Sequence, residues 1–430
     1  MSVSEPVVDI FAASHDGTFN ACVGENGMHD LRTYAEGYID ASILLLETLF
    51  EKQLLGSRDI LVHPILYSAR HAIELTIKHV LTELNQCDLK TEKRDIKGHN
   101  LGMLWALYKV IAQHDSRLMS LYQKMNPIVE YLDNIDKDAQ DFRYPTGNAE
   151  QGGEVKQTYE GKRIVDLKTT HNVVTALKEL LVSLLNTVDI VSEQRQLGSF
   201  TQDLNREELE ELSKDCGNDT SAYFVTTKDK WKELRGLSGK GFIRAIEFIK
   251  KHREFAGNIG EESDLIALSS ELLEQIIEFK LQDIQKNFED RALPIFERAI
   301  KKPISLNAYE KLKGSLTPEF VAELEALYYL SFLSRYSETY EALYGQQLRN
   351  LVFEDKAAQQ KECMKSFIRL FDKSPFLDSL IKSLRLIGQI QLSKKYFVEL
   401  NAIERKHEVG VAVVDQDNQT FVEALLNATK

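Results

Sequence analysis

The sequence has little that would interrupt a helix. Only 8 prolines and 22 glycines are spread over 430 residues, and these are the residue types that punctuate turns and strands. Their scarcity excludes a collagen-like or low-complexity chain and argues against a sandwich of short strands. Cysteine is scarce as well. Cys22, Cys87, Cys216 and Cys363 are scattered without Cys-x-x-Cys spacing, so free thiols in a reducing compartment are expected, and neither a zinc site nor a disulfide framework. No apolar run approaches the ~20 residues that a membrane-spanning helix needs. The first residues carry Glu5 and Asp9 and no basic cluster, unlike a secretory signal. A cytoplasmic protein with no membrane segment is therefore expected. Positive charge is in deficit: 53 Lys and Arg against 66 Asp and Glu, a formal net charge of −13. That excludes a protein that coats nucleic acid by bulk electrostatics, and leaves room for a small local basic site.

Metal and phosphate signatures are missing too. No His-Glu-x-x-His or His–Cys pairing occurs. The acidic run Asp133, Asp136, Asp138 and Asp141 lacks the glycine and terminal glutamate of a calcium loop, and reads as a solvated loop. Gly236-Leu237-Ser238-Gly239-Lys240-Gly241 resembles a phosphate loop on paper. It ends in Gly where Ser or Thr would hold magnesium and it follows a helix, so a helix–helix turn is expected. No cofactor is implied anywhere.

What the chain does have is helical periodicity. From Ser57 to Leu84, Leu66, Ala69, Ile73, Ile77, Val80 and Leu84 fall in one stripe at 100° per residue and must face a core. Arg70, Glu74 and Lys78 step away from the edge of that stripe at i, i+4 spacing, with His71 beside Lys78. The structural reading is a ladder of ion pairs worth about 0.2–0.5 kcal/mol each. The functional reading rests on position. Arg70 lies about 60° from the stripe centre, so a half-buried guanidinium is expected, and such a group needs a carboxylate or a ligand phosphate.

These residues, with Gly98-His99-Asn100-Leu101 and an acidic segment leading into Phe142-Arg143-Tyr144-Pro145, resemble a bacterial branch of the HEPN superfamily. The resemblance covers roughly residues 35–195. It implies a helical bundle, linked in that superfamily to nucleotide binding and, in many members, to metal-independent RNA cleavage in defence systems. It also implies a homodimer. Applied to this sequence, His99 or His71 would transfer the proton as an RNA 2′-oxygen attacks phosphorus. Arg70 and Arg143 would stabilise the charged phosphorane, Lys78 would assist, and Glu74 would orient Arg70. The superfamily signature, Arg then His after four to six residues, does not start from Arg70, because His71 and His79 are wrongly spaced. The spacing occurs in Arg58–His63 and Arg94–His99.

The whole reads as all-α: an N-terminal helical bundle over 1–197 and a helical C-terminal domain over 198–430. A small hairpin is expected near 153–166, short strands at Val7–Phe11 and Val411–Val414, and a break at Pro127. Pro64 is expected to kink the main helix or to close a separate turn before it. The basic cluster Lys250–Arg253 is assigned to the negative end of a helix, and the aromatic stripe Tyr328, Tyr329, Phe332, Tyr336 and Tyr340 to a core. Two functions compete: a prokaryotic defence or stress protein acting on RNA or a nucleotide, and a non-catalytic interaction protein whose C-terminal helices bind a protein partner.

Overall fold

The computed structural model describes residues 10–27, 29–87, 96–137, 139–145, 161–290 and 304–405. Of these, 74% are helical and none is in a strand. No helix among them is long and apolar enough to cross a membrane. The expected strands at Val7–Phe11 and Val411–Val414 lie mostly or wholly outside the described residues, as does most of the expected hairpin. The hairpin's described end, 161–166, is a turn at Gly161 and irregular chain. The chain divides into two compact units, 1–199 and 200–430.

The first unit is built on α2 (Arg58–Asn85), which packs against α1 (Leu31–Glu51), α3 (Leu101–Ala112) and α5 (Leu167–Gln196). α4 (Ser116–Ile135) pairs with α3 and closes on α5. The apolar stripe is where periodicity places it: Ala69, Ile73, Ile77, Val80 and Leu84 are buried against Trp105, Tyr108, Leu181 and Val188. Each buried Ile, Val or Leu side chain of the stripe contributes about 1.5–3 kcal/mol by leaving water. Neither proline breaks its helix. α2 runs through Pro64 and α4 through Pro127 as single helices, each giving up one backbone hydrogen bond that the surrounding packing offsets.

The second unit centres on α12 (Pro318–Phe332), preceded by α6 (Arg206–Asn218), α7 (Val225–Arg235), α8 (Gly239–Lys251), α9 (Arg253–Asn258), α10 (Ser270–Asp290) and α11 (Ile304–Leu312). After it come α13 (Tyr340–Leu351), α14 (Lys356–Phe371), α15 (Phe376–Leu386) and, last among the described residues, α16 over 390–405. Thr317 caps α12 by accepting from Phe320 N, with Pro318 at the first helical position, the arrangement its sequence predicts. α12 is buried from Phe320 to Tyr328, two glutamates included. Glu323 is fully buried and accepts the backbone N–H groups of Ile266, Ala267 and Leu268 and the Tyr340 hydroxyl. Burial, reinforced by that carboxylate, pushes the Tyr340 phenol well up. The phosphate-loop lookalike is a helix–helix turn: Gly236 ends α7 at φ 66° and Ser238 caps α8. Of the aromatic stripe, Tyr328 and Tyr340 are core, while Phe332 is half exposed and stacks on Tyr328. In the basic cluster, Lys250 and Lys251 lie in the last turn of α8, as expected, and His252 both ends α8 and caps α9, with its Nε2 2.9 Å from Glu338.

α9 meets the end of α15 at two glycines. A Cβ on Gly257 would lie 2.4 Å from the Gly388 carbonyl oxygen, and Gly388 is at φ +86°. Nothing but hydrogen fits between these backbones. Gly257→Ala should therefore destabilise the second unit by about 1–3 kcal/mol or more through overpacking, read as a lower urea midpoint with an unchanged far-UV spectrum in water.

Candidate functional site

Two of the three sequence pieces meet at one carboxylate, and the third reaches it through the rings of Tyr67 and His71. Glu74, in the middle of α2, has no solvent exposure. Arg70, one turn earlier and equally buried, donates from Nη1 to Glu74 Oε2. Lys78, one turn later, donates from Nζ to Oε1 at 2.8 Å. His99 reaches the same Oε1 through Nδ1, also at 2.8 Å. His71 Nδ1 stands 3.9 Å from Oε2, outside hydrogen-bond range. Burial by itself would push the Glu74 carboxyl up. The basic neighbours His71, Lys78, Arg70 and His99 outweigh it and hold the group well below the usual carboxylate range.

An ionised Glu74 fixes the His99 tautomer. A carboxylate only accepts, so Nδ1 must carry the hydrogen, and in the neutral ring Nε2 is then an acceptor. His99 keeps 57% of its side chain exposed while Glu74 holds one edge. It is placed there by the start of α3, where Asn100 caps the helix by accepting from Met103 N. In the first turn of α3, a Cβ on Gly102 would come 2.6 Å from the Asp133 side chain, whose carboxylate takes the Gly102 N–H at 2.7 Å, so any larger residue would have to displace it.

Arg70 is the most committed of the group. Besides Glu74, its guanidinium donates to the carbonyl oxygens of Asp136 at 3.0 Å, His99 at 2.6 Å and Lys137 at 3.0 Å. The sequence expectation of a half-buried side chain is thus corrected to complete burial, because the loop after α4 folds over it. That loop turns through Ala139 at φ +60°, with Asp136 Oδ1 accepting from Asp141 N. Phe142 anchors it in the core. The acidic run is thus partly structural rather than solvated, with Asp138 outside the described residues.

Arg143 emerges from the same loop. Its Nε donates to Ala139 O, and its Cζ lies 5.6 Å from the ring centres of both Tyr67 and Tyr144. Tyr67 in turn stacks on His71, at 5.3 Å and 14°, and Tyr38 meets His71 edge-on at 4.6 Å. The side chains therefore form a continuous layer: Arg143, Tyr67, His71, then Glu74 with Lys78 and His99. Sequence reasoning missed Tyr38 and Tyr67. The signal was available, since Tyr67 is four residues before His71 on one helix face.

Compared with known proteins, the chain matches no family model, no curated protein and no solved structure. Geometry alone therefore carries the reading. Among the described residues no three His, Cys, Asp or Glu side chains are grouped to hold a metal ion. The Arg–His spacing of the superfamily signature occurs twice: Arg94–His99 ends on the site's own histidine, whereas Arg58–His63 falls elsewhere. Arg58 and His63 line a cleft at the start of α2, sixteen residues or about 24 Å along the helix from Glu74 for the arginine. Arg94 is outside the described residues.

The linkage follows from the sign of the Glu74 shift. Its folded pKa is depressed below its ordinary value of 4.5, so its contribution is full above that pH and is lost as pH falls toward the folded value. The urea midpoint of the first unit should drop between about pH 5 and pH 3 in the native chain, and drop less steeply in Glu74→Gln. Arg70→Met, which leaves Glu74 buried beside one fewer donor, should cost about 3–5 kcal/mol at neutral pH.

Proposed function

We propose that the first unit is a HEPN-like domain that acts on RNA without a resident metal. The reading is supported chiefly by one observation: a half-exposed histidine, His99, held at Nδ1 by a buried, ionised glutamate. That is the arrangement by which a carboxylate orients a proton-transferring imidazole. In this proposal His99 Nε2 removes the proton of an RNA 2′-hydroxyl, the 2′-oxygen attacks the adjacent phosphorus, and His71, as the second proton carrier, gives a proton to the 5′-oxygen that leaves as its bond to phosphorus breaks. Arg143, exposed on its tyrosines, stabilises the charge that develops on the phosphorane oxygens. Lys78 and Glu74 keep His99 in place. Arg70 acts by position, since its donors are given to Glu74 and to three backbone carbonyls. A homodimer and a role in prokaryotic defence or stress belong to the same proposal through the resemblance alone.

The saturation of Arg70 favours a second reading, in which the cluster is a structural network and the protein is a non-catalytic partner of other proteins. RNA cleavage separates the two. Under the first reading, cleavage of mixed RNA survives a strong chelator, leaves 2′,3′-cyclic phosphate ends and spares 2′-deoxy substrates. His99→Ala then lowers the rate by about 10²–10⁴ with the fold intact by circular dichroism. Cleavage that needs magnesium, or that ignores both His99→Ala and His71→Ala, discards this site. A chain with no activity on any RNA supports the second reading.

A further inference from the structure

The first unit holds a second concave site that the proposal above does not use. It is a cleft of about 920 Å³ between the end of α1, the start of α2 and the chain leading into α5. That volume is in the range of small-ligand sites. Its apolar side is made by Leu49, Leu54, Leu55, Val62 and Val165. Leu55 is 69% exposed and neighbouring Ile164 90%, so none of the described residues covers the apolar surface here.

The charged side is basic in a protein of net charge −13. Arg58, Lys162, Arg163 and Lys168 all line the cleft. Two carboxylates accompany them, and neither neutralises the group closely. Asp166 is engaged in capping α5, accepting from Lys168 N at 3.0 Å and Thr169 Oγ1 at 2.7 Å. Asp59 is 89% exposed and 3.8 Å from Arg58 Nε. The first turns of α2 and α5 both open here, adding the positive ends of two long helices. Among the described residues the lining holds no side-chain amide or hydroxyl, and its apolar wall offers a hydrocarbon a contact that needs no hydrogen-bond partner.

We infer that this cleft binds a small amphipathic anion: a carboxylate or phosphate head set among Arg58, Lys162, Arg163 and Lys168, on a hydrocarbon body laid along Leu54, Leu55 and Val62. The test is calorimetric titration of the full chain with dodecanoate and dodecyl phosphate below their micellar concentrations. Dodecyl maltoside, inorganic phosphate and ATP serve as comparisons. Both anionic amphiphiles bind, and the neutral maltoside binds about tenfold or more weakly, the loss of one charge-assisted contact. Binding of the anions weakens with added salt. The surface variant Lys162→Glu/Arg163→Glu loses about tenfold or more in affinity, with an unchanged circular dichroism spectrum. Leu55→Asp weakens dodecanoate while leaving the basic groups in place. The inference is overturned if neither anion binds, if dodecyl maltoside binds as tightly, if ATP or phosphate alone binds as tightly as dodecanoate, or if the charge reversal changes nothing. None of these outcomes depends on RNA cleavage, so the two proposals fail separately.

Discussion

The first unit depends on one buried ion pair, Arg70 with Glu74. Neither group has water to fall back on, so each must find all its partners inside the protein. Glu74 finds Lys78 and His99; Arg70 finds the carbonyls at 99, 136 and 137. Those needs are what draw two remote pieces of chain onto α2. The start of α3 and the loop after α4 are held as much by this polar network as by the apolar stripe beneath it. The same network gives His99 a fixed tautomer and a fixed orientation.

The second unit solves a similar problem by another route. Glu323 is just as buried, yet among the described residues no Arg or Lys is hydrogen-bonded to it. Three successive backbone N–H groups and a tyrosine hydroxyl satisfy it instead. A carboxylate on the central helix thus fixes the chain ahead of α10, as Glu74 fixes the chain ahead of α3. Arg206 adds a further knot, donating to Glu254 and Glu338 and lying over the rings of Phe255 and Tyr336. In both units the apolar stripes set which helix faces meet, and the buried charges select which loops close over them.

Helix positions were legible because their cause is local. The spacing of Ile73, Ile77, Val80 and Leu84, the Thr317-Pro318 start and the Gly236 stop act within one or two turns. At the prolines the cause is not local: the break expected at Pro127 does not occur, and at Pro64, where a kink or a separate turn is expected, α2 runs on as one helix. Whether Pro64 or Pro127 breaks a helix depends on what packs against it, and that information lies in other segments. The grouping of Arg70, Glu74, His99 and Arg143 was legible only as a suspicion, since each residue in isolation also suits an exposed helix face or a loop.

By itself the sequence determined an all-helical chain, its apolar faces and most of its helix ends, because these follow from short-range spacing and backbone preference. It also placed the unusual charges on the inner edge of one helix. Only the tertiary structure decided that Arg70 is wholly enclosed, that His99 rather than His71 shares a hydrogen bond with Glu74, and that Arg143 rests on Tyr67. It alone assembled the basic cleft from residues 49–63 and 162–168. Those outcomes turn on loop closure and desolvation across a hundred residues of chain, and neither has a local signature in the order of the amino acids.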